Sequence, residues 1–127
     1  VRLVGSEMCI RDRSISCTMT NCTISGNQTE ADTRASGLWI HGNSASPANL
    51  INCTITNNAN VYVGATTGAG VVQANSFPVY LTNTLISQNV RLSTRANIFG
   101  VFNSQGYNFI GDTTGGTIFA TAGAMSA

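Results

Sequence analysis

The heptapeptide NCTITNN, Asn52–Asn58, decides how this chain folds. It has two near copies, NCTISGN at Asn21–Asn27 and NTLISQN at Asn83–Asn89, and the step from Asn21 to Asn52 equals the step from Asn52 to Asn83. A fixed period of about 20–50 residues marks stacked repeats, in which no single unit can bury its own apolar face. Each copy reads N-x-[T/L]-I-[S/T]-x-N, a short β-like run between two asparagines. Such a run is too short for a helix and suits a strand. A similar run precedes each copy (SISCTMT, ANLINC, PVYLTN), and another follows half a period later (SGLWIH, AGVVQA, NIFGVF). Each unit therefore offers about three strands separated by Asn, Gly and Ser turns. That layout predicts an all-β, right-handed parallel β-helix: a solenoid fragment of about four coils of about 31 residues.

Alternation along a strand sorts the motif into two faces. Ile24, Ile55 and Ile86 share one face with Cys22, Cys53 and Thr84; Thr23, Ser25, Thr54, Thr56, Leu85 and Ser87 share the other. The isoleucines must point inward, since stacked outward they would form an exposed apolar stripe. Equivalent asparagines then form two ladders, Asn21–Asn52–Asn83 and Asn27–Asn58–Asn89. A side-chain amide both donates and accepts, so stacked asparagines can bond along the pile. The second face is less regular. Ile40 and Val71 keep the interval of the motif, but GLW and GVV, starting at Gly37 and Gly70, are two positions further apart. Either alignment keeps Leu38, Ile40, Val71 and Gln73 inward. The inserts QTEADTRA and NVYVGATTGA are expected to be loops along one edge.

Composition agrees with this layout. The chain has 127 residues, the size of one domain. It is 43% hydrophobic but only 9% charged, with no lysine, and Asn, Thr and Ser number 42. Net charge of +1 supplies no electrostatic footprint for nucleic acid or an anionic membrane. No apolar run reaches the roughly 18–20 residues of a membrane-spanning helix. Residues 1–13, VRLVGSEMCIRDR, hold five of the eleven charges. They resemble the translation of a sequencing adapter, and the competing reading is a short polar cap over the first turn. They are set aside as a leader, leaving 14–127 as the repeat fragment. Outside the leader, Cys17, Cys22 and Cys53 include no C-x-x-C pair to suggest a metal. Cys22 and Cys53 should stack as two free core thiols, a disulfide being the alternative.

The strings NCTISGN, NCTITNN, NTLISQN and GYNFIGD (Gly106–Asp112) resemble the right-handed β-helix repeats of bacterial surface and secreted proteins. Those repeats belong to the pectin-lyase-like superfamily, alongside polymorphic outer-membrane-protein repeats. The resemblance covers Ser14 to about Gly116. It implies an extracellular or outer-membrane-associated location and an adhesive or structural role. The superfamily also holds polysaccharide lyases and glycoside hydrolases, and fold does not fix function. After GDTTGGT the chain shows no polar capping element, and a fragment of a longer solenoid is expected.

Candidate chemistry is sparse. Lyases of this fold hold Ca²⁺ with clustered acids, and its hydrolases pair aspartates. Outside the leader only Glu30, Asp32 and Asp112 are acidic. Glu30 and Asp32 share one loop, read as solvated rather than as a metal site. Arg91 and Arg95 are placed in the corresponding loop of the next coil, where they could pair with Glu30 or Asp32 or hold an acidic sugar. Trp39 and His41, alternate on one strand, could form a sugar-stacking platform, although the next coil has no aligned aromatic. The outward threonine rows that an ice-binding surface would need break at Leu85. The expectation is a non-catalytic structural or adhesive segment that faces glycan through Trp39, His41, Arg91 and Arg95. No catalytic residue, cofactor or metal is assigned. The partners expected are a polysaccharide or cell-surface glycan and the rest of the same solenoid, with no nucleic acid and no membrane insertion. The alternative is a fragment of a lyase or glycoside hydrolase whose active site lies outside this chain.

Overall fold

A sharp corner between strands needs a left-handed backbone that most side chains resist and asparagine tolerates. Every repeat motif opens on such a corner: Asn21, Asn52 and Asn83 have φ of 55°, 53° and 47°. Tyr107 takes the fourth equivalent place with φ 58°. These values come from a computed structural model, which describes residues 2–3, 7–9, 16–30, 35–41, 47–75 and 77–120.

Strands β1 (Arg2–Leu3) and β2 (Glu7–Cys9) precede the first repeat. The first pass lays down β3 (Cys17–Thr20), β4 (Thr23–Ser25), β5 (Gln28–Thr29) and β6 (Leu38–Ile40). The second repeats them as β7 (Ala48–Ile51), β8 (Thr54–Thr56), β9 (Ala59–Asn60) and β10 (Val71–Gln73). The third runs through β11 (Val79–Thr82), β12 (Leu85–Ser87), β13 (Val90–Arg91), β14 (Thr94–Arg95) and β15 (Ile98–Ser104), followed by β16 (Phe109–Ile110) and β17 (Gly116–Ala120). Among the described residues the chain is all-β, and every strand pairing except β13 with β14 is parallel.

The sheets curl around one interior because equivalent residues sit side by side. Ile24 pairs with Ile55, Ile55 with Ile86 and Ile86 with Ile110. All four are buried, at most 1% exposed. Burying each such side chain is worth about 1.5–3 kcal/mol. Leu50 and Leu81 form a second column, Leu38, Val71 and Ile98 a third, and Phe102 is buried in the same core. The predicted inward column of isoleucines is therefore present, with Ile110 as a fourth member.

The passes are not equal in length. Leu85 pairs with Thr54 of the pass before at the interval of the motif, but its partner on the other side, Phe109, comes sooner in the chain than that interval would place it. What is missing is a connection. Residues 41–47 and 74–78 link the last strand of one pass to the first of the next, whereas β15 runs straight across. It can do so because Gly100 has φ +112, and a Cβ there would lie 2.7 Å from Gln73 Oε1. On this face the glycine-led alignment wins, with Leu38 on Val71 and Ile40 on Gln73. Gly37 and Gly70 explain that choice. A Cβ on Gly70 would overlap the Asn97 carbonyl oxygen and come within 2.8 Å of Asn89 Nδ2; one on Gly37 would overlap the Gly70 carbonyl oxygen. Gly37 and Gly70 must therefore face the buried asparagines together.

Two further details depart from the sequence reading. The inserts expected as loops begin as strands, since β5, β9 and β13 form a fourth strand position in each pass. Among residues 1–13, Arg2–Leu3 lie on Thr23–Ile24, and Glu7–Cys9 on Leu38–Ile40. Arg91 stands over Asn60, in a sheet ordered β14-β13-β9-β5. All of β9 thus separates Arg91 from the strand that leads to Glu30. The hairpin therefore lies two passes from β5, where the sequence reading places it in the next coil. Asp32 lies outside the described residues.

Candidate functional site

Two sets of polar residues stand out, one buried and structural, the other lining a surface groove. The buried set is the second asparagine ladder. Asn27 Nδ2 donates to Asn58 Oδ1 at 3.0 Å, and Asn58 Nδ2 to Asn89 Oδ1 at 2.9 Å. The same oxygens accept the backbone N–H of Asn27 and Asn58, at 3.1 Å each. Asn58 Nδ2 also reaches the Ile24 carbonyl at 3.1 Å. Asn97 then supplies the last rung, accepting at Oδ1 from Asn89 Nδ2 at 3.1 Å and from Asn89 N at 3.0 Å. It follows Asn89 closely in the chain instead of a full repeat later, and the period does not reveal it. The other ladder lies on the surface: Asn52 Nδ2 donates to Asn21 Oδ1 at 3.1 Å and Asn83 Nδ2 to Asn52 Oδ1 at 2.8 Å.

Beside the surface ladder runs an inward column, Cys22, Cys53, Thr84 and Asn108. Its members differ in chemistry but all donate to carbonyls. The first three bond at their own corner: Cys22 Sγ to Thr20 O, Cys53 Sγ to Ile51 O, Thr84 Oγ1 to Thr82 O. Cys53, Thr84 and Asn108 reach back one pass, to the carbonyls of Met19, Leu50 and Leu81. Both thiols are free. Burial pushes the Cys53 thiol above its usual range.

The groove forms where the third pass is shortened. Trp39 on β6, Val72 on β10 and Phe99 on β15 share one outward register column. Val72 is covered, and the two aromatics flank it. His41 follows Trp39 on the same side, their ring centroids 6.2 Å apart and edge-on at 86°. His41 Nε2 lies 3.3 Å from Asn75 Nδ2. If the amide donates, His41 carries its proton on Nδ1. With Thr67 and Ala74 these residues line a cavity of about 300 Å³, at the small end of ligand sites. Gln73 braces the floor, accepting at Oε1 from Val101 N at 2.8 Å and donating through Nε2 to the Phe77 carbonyl at 2.6 Å.

The four candidate residues thus divide. Trp39 and His41 come together; Arg91 and Arg95 stand on the β13–β14 hairpin, paired with Thr94 and Val90, and neither lines the groove. The sequence reading missed Phe99, Asn75 and Thr67. Phe99 was recoverable from the likeness of AGVVQ (Ala69–Gln73) to ANIFG (Ala96–Gly100), which sets Val72 against Phe99 at a shorter interval than the motif keeps. Asn75 and Thr67 lie in connections without periodic signal. Among the described residues no group of three or more His, Cys, Asp or Glu could hold a metal ion. The Asp112 carboxyl is held below its ordinary range, chiefly by Thr114, whose N–H donates to Oδ1 at 2.8 Å, and less by the Arg95 charge.

No family profile, no curated protein and no solved structure matches the chain.

Proposed function

We propose that this chain is a stretch of right-handed parallel β-helix from a secreted or surface-attached bacterial protein, and that it holds carbohydrate in the groove beside Trp39. The observation that carries the reading is the pair Trp39 and Phe99 across buried Val72, with His41, Asn75 and Thr67 at the rim. Aromatic faces take the C–H face of a sugar ring, and the polar rim fixes its hydroxyls. The parallel register of four successive isoleucines supports the solenoid. So does the resemblance of the repeat strings to pectin-lyase-like and polymorphic outer-membrane-protein repeats, which also carries the extracellular location. The role is adhesive, and its partner is a polysaccharide or cell-surface glycan.

Trp39 is the one tryptophan in the chain and so reports on its own site. Titrating the protein with oligosaccharides should change its fluorescence saturably, and Trp39→Phe, read by calorimetry, should weaken binding several-fold. A flat response in both measurements to every oligosaccharide tried would end the carbohydrate reading. Release of unsaturated or reducing sugar by this chain would replace adhesion with catalysis. A crystal structure with left-handed passes would remove the right-handed assignment, and one in which Ile24, Ile55 and Ile86 are not stacked would remove the solenoid.

A further inference from the structure

Resting on that carbohydrate reading, we infer that the groove takes an uncharged pyranose rather than a uronic acid, held across Trp39 and Phe99. Its described lining contains no Asp, Glu, Lys or Arg. Of the described arginines, Arg2 lies on Thr23, and Arg91 and Arg95 belong to the β13–β14 hairpin. A carboxylate entering this groove would lose water against Trp39, Val72 and Phe99 and gain no counter-charge, a net penalty. A neutral sugar loses far less. Its C–H face covers the aromatic rings, and its hydroxyls meet groups that can both donate and accept: the Asn75 amide, the Thr67 hydroxyl and the His41 ring. The three-strand column Trp39–Val72–Phe99 spans two strand spacings, about 9.6 Å. With a cavity of about 300 Å³, that length suits a short oligosaccharide or a chain end.

The test is a calorimetric comparison of neutral gluco- and galacto-configured oligosaccharides with oligogalacturonate, each at low and high salt. The expected result is binding of at least one neutral series, changed less than about twofold by salt, because no ion pair is screened. Oligogalacturonate should bind at least tenfold more weakly. Phe99→Ala should weaken the neutral ligand several-fold, and Thr67→Lys should raise affinity for oligogalacturonate in a salt-sensitive way. Equal or tighter binding of oligogalacturonate by the unmodified protein, weakened by salt, would overturn this inference and leave the carbohydrate reading standing. Failure of both classes to bind would overturn the carbohydrate reading itself, and the inference with it.

Discussion

The two asparagine ladders share a residue type, a repeat interval and an amide-to-amide bond of about the same length, yet they do different work. The surface ladder, Asn21–Asn52–Asn83, is there for its backbone: each member sits at positive φ, and its side-chain bonds compete with water. The inner ladder, Asn27–Asn58–Asn89, is there for its side chains, which are buried and satisfy backbone groups that no strand partner reaches. The lesson is that a repeated residue is explained by its environment and not by its recurrence. Net hydrogen-bond energy is modest, but a buried group left unpaired costs its full desolvation.

Substitutions can break this contrast in order of size. Asn58→Asp keeps the shape but removes the donor and buries a charge beside the Asn89 Oδ1 acceptor. It should cost about 3 kcal/mol or more at neutral pH. Asn58→Ala takes the side-chain acceptor from Asn27 N and the side-chain donor from the Ile24 carbonyl, while Asn89 Oδ1 keeps the backbone N–H of residue 58, at about 1–3 kcal/mol. Urea midpoints with unchanged slope would read both; a midpoint unmoved by Asn58→Ala would mean that the inner ladder does not stabilise the fold. On the surface ladder, Asn52→Ala should cost about 1 kcal/mol, nearly all of it backbone. Asn52→Gly should then restore most of the loss, since glycine accepts φ of 53°. If glycine were as harmful as alanine there, the side-chain bonds would matter as much outside as inside.

The corner column sharpens the comparison further. Thr84 already makes from the next pass the bonds that Cys53 makes, so Cys53→Thr should change stability by less than about 1 kcal/mol, as volume-conserving swaps do. It should also alter the alkaline limb. A thiol whose folded pKa is raised keeps its proton after the unfolded chain has lost it, so its contribution is present below the unfolded value of 9.0 and is lost as pH rises above it. Cys53→Thr should flatten that decline in a pH series of melting temperatures. The smallest expected effect is at Asp112, whose depressed folded pKa contributes stability above the unfolded value of 3.8 that fades as pH falls through the folded one. Asp112→Asn should reduce acid sensitivity in that window, and an unchanged acid limb would show that the Thr114 bond contributes nothing.

The repeat was open to sequence reading because stacking imposes one chemistry on every equivalent site. Inward isoleucine, corner asparagine and buried amide each recur at one interval, and a period survives without knowledge of any contact. Ile24, Ile55 and Ile86, both ladders and the stacking of Cys22 with Cys53 were legible on that ground. Ile110 and Asn108 were not, because the connection dropped at Gly100 shortens the last pass and moves them off the period; Asn97 was not, because it closes the ladder from the same pass as Asn89, 8 residues on. Trp39 and His41 were visible as residues but not as a site. Phe99 joins them only through a register that runs longer than the period from Trp39 to Val72 and shorter from Val72 to Phe99. Asn75 joins them only through a turn.

The amino-acid sequence alone therefore determined the all-β repeat and which side chains of the heptapeptide face inward, since both follow from local alternation and a fixed interval; Gln73, expected inward on the less regular face, is half-buried and lines the groove. Only the tertiary structure decided which passes are in register on the Trp39 face, which asparagine closes the inner ladder, and that Arg91 and Arg95 stand away from the groove. Those outcomes depend on the lengths of irregular connections, and a connection's effect on register is felt only when the strands it joins are packed against their neighbours.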